Sequence, residues 1–182
     1  NYAVLPVPRV VLTVNGGTFD LQSFNETVDV VTLSSGSIIG SGTLVGATYF
    51  VESGSISAAL GGSAILNKNT AGTVTLSGPN TYSGTTNINA GALTLGANNV
   101  LPDTTTLQGT SPGIFNLAGF SDTVAGFGGT ITISLGGGTL TVGHGGASST
   151  FASLINGSGN LTKIGTGTIT LSGANTYTGV TT

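Results

Sequence analysis

Apolar residues recur at alternate positions in short bursts, each opened by a glycine. The phrase reads GTFDL from Gly17, GTVTL from Gly72, GALTL from Gly91, GIFNL from Gly113, GTITI from Gly129, GTLTV from Gly138 and GTITL from Gly167, with a looser GTLVG from Gly42. A period of two marks a strand with one buried face. Thr, Val, Ile and Phe favour strands, and the flanking Gly, Asn and Ser favour turns. No stretch carries apolar residues at helical spacing over three turns, so helix is nearly absent. The alternation predicts that Phe19, Leu21, Val74, Leu76, Leu93, Leu95, Phe115, Leu117, Ile131, Ile133, Leu140, Val142, Ile169 and Leu171 point inward.

The bursts belong to a longer repeat. Gly72–Thr86 (GTVTLSGPNTYSGTT) and Gly167–Thr181 (GTITLSGANTYTGVT) are identical at 11 of 15 positions, 95 residues apart. Leu5-Pro6 matches Leu101-Pro102 and Thr27-Val28 matches Thr123-Val124, each 96 residues apart. The chain therefore reads as two units, approximately 1–96 and 97–182, of one β-helical segment spanning 1–182. It reads as a window of a longer repetitive protein. Similar phrases one coil apart would stack in parallel, because a single coil cannot bury its own inward face. At ~22 residues per coil the expected fold is a solenoid of about eight coils, a rod about 40 Å long at the usual strand spacing.

The segment Gly159–Thr182 (GNLTKIGTGTITLSGANTYTGVTT) closely resembles the passenger-associated repeat of autotransporter proteins, G-x-L-x-K-x-G-x-G-x-L-x-L-x-G-x-N-x-Y-x-G-x-T. Ala64–Asn87, followed by INAGALTLG, is a looser copy in which Thr70 replaces the glycine after the lysine. The resemblance implies an all-β, right-handed parallel β-helix exported to the bacterial outer surface, a stalk and not an activity. In it Gly78 and Gly173 would supply left-handed corners, with Asn80 and Asn175 making side-chain bonds there. The rings of Tyr82 and Tyr177 would pack on the next coil with their hydroxyls at the rim. Lys68 and Lys163 would lie along the wall with their amines in solvent.

Composition narrows the chemistry. The 182 residues include 32 glycines, three Lys+Arg, six Asp+Glu, one His and no Cys, Met or Trp, and only 5% are charged. A nucleic-acid partner needs a basic patch, which Arg9, Lys68 and Lys163 do not make. No run of 18 apolar residues suits a membrane span. The hydrophobic fraction of 38% is the reverse of a disordered chain's composition.

Parallel β-helices can host carbohydrate-active enzymes, which need clustered carboxylates. The acids are Asp20, Glu26, Asp29, Glu52, Asp103 and Asp122, and only Glu26 and Asp122 are acidic in both units. Asp20, Glu26 and Asp29 with Arg9 are the place where a site would have to lie. His144, in GHGG, reads as a turn residue, and four zinc ligands are not available. The threonine pairs 73/75, 130/132, 139/141 and 168/170 look like the outward array of an ice-binding solenoid, but Ala92/Thr94, Ile114/Asn116 and Thr18/Asp20 break the ladder.

The expectation is thus a non-enzymatic extracellular stalk or fibre segment at a bacterial cell surface, serving adhesion or matrix formation, with no catalytic, cofactor or metal residues and no cofactor. A non-catalytic part of a carbohydrate-active enzyme and a glycan- or receptor-binding module are the alternatives. The partner expected first is a further coil, joined end to end from its own chain or another copy. The C-terminal phrase SGANTYTGVTT has no charge or proline to shield an edge, whereas Pro6, Pro8 and Arg9 stand near the other end.

Overall fold

The computed structural model describes residues 10–182. Every strand pair among them is parallel, and the sole helical element is a 3-10 turn at His144–Gly146. The chain winds into a β-solenoid of about eight coils. The inward partners Val31, Tyr49, Leu66, Thr86, Leu107 and Phe127 succeed one another at 17 to 21 residues per coil, a little tighter than the sequence spacing suggests. Arg9, Pro6 and Pro8, and with them the matched Leu5-Pro6, lie outside the described residues.

Three faces enclose the core. The first carries Thr48–Val51, Ile65–Lys68, Thr86–Ile88, Thr106–Gly109 and Gly126–Phe127, and continues to Ser149–Phe151 and Ile169–Leu171. The second carries Gly54–Ile56, Thr73–Leu76, Ala92–Leu95, Ile114–Asn116, Thr132–Ser134 and Ile155–Asn156. Two ten-residue strands, Val11–Asp20 and Val30–Ile39, bend from the first face into the second. The third face has strands at Glu26–Thr27, Thr43–Val45 and Ala59–Gly61, and again at Asp122–Val124, Thr139–Val142 and Asn160–Lys163.

The core follows the alternation. Val74, Leu93, Phe115, Ile133 and Ile155 form one buried column on the second face. Of the residues assigned inward from sequence, all are buried except Phe19, Ile169 and Leu171. Those three are partly buried and packed against the core. Val31, Leu33, Ile38, Leu44, Tyr49, Val51, Ile56 and Leu60 are also fully buried, although their segment carries the glycine-led phrase only in its looser form at Gly42.

The repeat glycines do a different job from the one expected. Gly78 and Gly173 do not have left-handed backbone. They are needed because the coils approach closely there. A Cβ on Gly78 would strike the carbonyl oxygen of Ala58, and one on Gly173 that of Ser153, in the preceding coil. Those two carbonyls are themselves 95 residues apart, so both repeats make the same close approach, with the second copy displaced by one face: Thr73–Leu76 lies on the second face and Ile169–Leu171 on the first.

Candidate functional site

The acids proposed as a place to look for catalysis are not convergent. Asp20 ends the second-face strand, Glu26 starts the third face, and Asp29 stands at the corner leading to the first, so they are distributed around one coil. Two of them already hold backbone amides: Asp20 Oδ1 accepts that of Gln22 at 2.7 Å, and Asp29 Oδ2 accepts that of Val10, 19 residues back, at 2.8 Å. Arg9 lies outside the described residues. Among the described residues there is no cavity and no group of three His, Cys, Asp or Glu side chains placed to hold a metal. His144 belongs to the 3-10 turn, with Nδ1 3.9 Å from Asp103 across an exposed corner.

The threonine pairs do not share a face. Thr73 and Thr75 lie on the second, Thr139 and Thr141 on the third, Thr170 on the first, and Thr130 Oγ1 accepts the Ser111 amide in a turn. A common threonine plane is therefore ruled out by the winding itself, beyond the interruptions visible in the sequence.

What the structure concentrates instead is a set of buried polar side chains that take the place of missing ladder bonds. On the third face no strand occurs between residues 61 and 122. Asn80 fills the gap: its Oδ1 accepts the Leu60 amide and its Nδ2 donates to the Val100 carbonyl, both at 2.9 Å. One coil further, Asp122 Oδ2 accepts the amides of Val100 and Leu101 at 3.0 Å each, and its Oδ1 accepts that of Thr123 at 2.8 Å. Burial raises the Asp122 carboxyl to about 6; the Leu101, Thr123 and Val100 amides oppose the rise, and nearby Asp103 adds to it. The asparagine bonds expected at 80 and 175 exist, but they run between coils. Asn175 Oδ1 accepts the Ile155 amide at 2.9 Å, reproducing the Asn80–Leu60 bond 95 residues on.

Two expectations about the repeat are corrected. Tyr82 has no exposed surface, and its hydroxyl lies inside the core, 2.7 Å from Thr86 Oγ1, which in turn meets Thr105 Oγ1 at 3.0 Å. Inward threonine supplies the partner that lets a phenol be buried whole. Tyr177 repeats the contact with Thr181 at 2.6 Å. Lys68 is likewise sealed from solvent, with Nζ bonded to the carbonyls of Thr70 and Ala90. Burial lowers its pKa and the charge of Glu52 partly offsets that. Lys163, more exposed, repeats the bond two residues ahead, to the Gly165 carbonyl at 2.9 Å, and makes a second to Ile164 at 2.6 Å where Lys68 reaches Ala90 in the next coil. The lysine caps a corner in both copies.

Tyr49 went unnoticed in the sequence. Its fully buried hydroxyl receives the Gly46 and Gly61 amides at 2.8 and 3.1 Å and faces the Leu44 and Gly61 carbonyls at 2.7 and 2.6 Å. Burial pushes it up to about 12, against the pull of the Gly46 and Gly61 bonds. Alternation could have found it, since TYFV places Tyr49 and Val51 on the inward side.

These features define a parallel β-solenoid whose repeat supplies cross-coil caps. The family model of the passenger-associated transport repeat matches residues 66–99 and 161–182, so the chain carries that repeat twice. No curated protein and no solved structure matches the chain significantly.

Proposed function

We propose that this chain is a length of rigid stalk in an autotransporter-type passenger displayed at the bacterial cell surface, where it extends an adhesive or matrix-forming protein. The observation that carries the reading is the pair of passenger repeats, which make the same cross-coil asparagine bond on one continuous solenoid. The polar side chains of the repeat are directed at neighbouring coils, which is what a spacer requires. An epitope inserted at the exposed Gly145 corner of the protein expressed in its own cells should be labelled by antibody on intact cells. Labelling only after lysis would overturn the surface assignment.

The partner in this reading is a further coil. Val74, Leu76 and Tyr82 are fully buried between neighbouring coils, whereas their counterparts Ile169, Leu171 and Tyr177 are only partly buried. A coil added on that side, from the same polypeptide or a second copy, would bury them and pair the backbone at Ile169–Leu171. Because so few charges are available to be screened, association should change less than about tenfold between ~50 and ~500 mM salt. Light scattering across that range tests this, and a larger fall would point to a charged interface. A chain that stays monomeric at high concentration, with no fibres in electron micrographs, would rule out association between copies.

A further inference from the structure

The chain contains two Asn-Gly pairs, Asn15-Gly16 and Asn156-Gly157, in opposite structural settings. We propose that Asn15 is a site of spontaneous deamidation, and that the fold protects Asn156 from the same reaction. The chemistry is intramolecular. The backbone nitrogen of the following glycine attacks the side-chain Cγ of asparagine, a C–N bond forms, and the side-chain amide leaves as ammonia. Water then opens the five-membered imide at either carbonyl, giving aspartate or isoaspartate. No oxidant or enzyme is required. The glycine nitrogen must be able to swing toward Cγ, which needs a backbone free to rotate and no side chain in the way.

Asn15 stands at a break in the ladder, although the Gly16–Gly17 peptide beyond it lies against Gly36 of the next coil. It sits at an irregularity of the Val11–Asp20 strand, where register slips on either side, and Gly16 and Gly17 have no partner in the neighbouring strand. All three residues are exposed. Gly16 and Gly17 have φ of +90° and +68°, and a Cβ built on Gly17 would meet nothing within 4 Å. The Asn15 Oδ1 accepts a long hydrogen bond of 3.4 Å from Ser35 Oγ, which draws electron density from the carbonyl under attack.

Asn156 lacks the backbone freedom. It is paired with Ser134 in the second face, and its carbonyl accepts the Leu135 amide at 2.9 Å. A Cβ on Gly157 would meet the backbone of Gly136 and Leu135 in the preceding coil, so the Asn156–Gly157 segment is packed as well as paired. Deamidation there must wait for local unfolding.

The reaction would place a negative charge, and in the isoaspartate product an extra backbone methylene, at a bulge that is otherwise neutral. A surface protein that is not turned over would accumulate this change with age.

The test is peptide mapping by mass spectrometry after incubating the chain in warm, mildly alkaline buffer, folded and in denaturant. In the folded chain the Asn15 peptide should gain about 1 Da at least about tenfold faster than the Asn156 peptide. In denaturant the two rates should converge, and Asn15→Gln should abolish the first signal while leaving the second. Equal rates in the folded chain, or an intact Asn15 where the denatured chain has lost both amides, would overturn the proposal.

Discussion

Tyr49→Phe lowers the stability of the solenoid by about 3 kcal/mol, the cost of leaving buried backbone groups without a partner. The ring is kept, so packing changes little. What goes is one oxygen serving Gly46, Gly61 and Leu44, where the third-face strands Thr43–Val45 and Ala59–Gly61 end. The direct Gly46-to-Gly61 bond is long, 3.4 Å, and cannot make up the loss. Tyr82→Phe is the natural comparison. Its hydroxyl meets one side chain, Thr86, which still has Thr105, so a loss nearer 1 kcal/mol is expected. Chemical denaturation of the two variants measures the contrast, and equal losses would contradict the ladder-filling role of Tyr49.

The second large effect is a pH dependence with an unusual direction. Asp122 is 2% exposed, and its carboxyl is raised from 3.8 to about 6. Between those values the folded state holds a proton that the unfolded chain has released, so stability falls as pH rises through this window. The full difference is about 3 kcal/mol, favouring the fold below about pH 4 relative to its stability above about pH 6. Asp122→Asn removes this slope, because an amide does not ionise and can keep its oxygen on the Val100 and Leu101 amides. Asp122→Ala leaves both amides unpaired and should cost about 2 kcal/mol even at acid pH. Urea midpoints measured from about pH 4 to pH 7.5 for the chain and for Asp122→Asn give the comparison, with matching slopes as the contrary result.

The coil architecture is legible in the sequence because its cause is local. Alternation after a glycine puts Val74, Leu93, Phe115 and Ile133 in one column, and stacking only has to align what each phrase already presents. Face assignment is not local. Whether Thr139 follows Thr73 on the same wall depends on every intervening corner, and the coil length varies from 18 to 22 residues between them. The buried polar residues were obscured for another reason. Lys68, Thr86, Asn80 and Asp122 are types that ordinarily face water, and their burial rests on partners brought up by the winding: backbone groups for Lys68, Asn80 and Asp122, and the hydroxyls of Tyr82 and Thr105 for Thr86. Asp122 did carry a signal, since it stands in the inward register two residues before buried Val124. No analogous signal marks a candidate catalytic centre, and the acids that sequence grouped together are separated by the corners of their coil.

The parallel stacking has a mechanical consequence. The strands run around the rod, so the hydrogen bonds that join coil to coil lie along its axis. A pull on the two ends of the polypeptide therefore loads those bonds a few at a time, as in peeling tape, and not all together as in shearing a sheet. Yielding should proceed from the ends inward, one coil at a time, each releasing about 60–70 Å of chain for its 17 to 21 residues. Each released coil then faces an intact one whose exposed backbone is the template on which it can wind again.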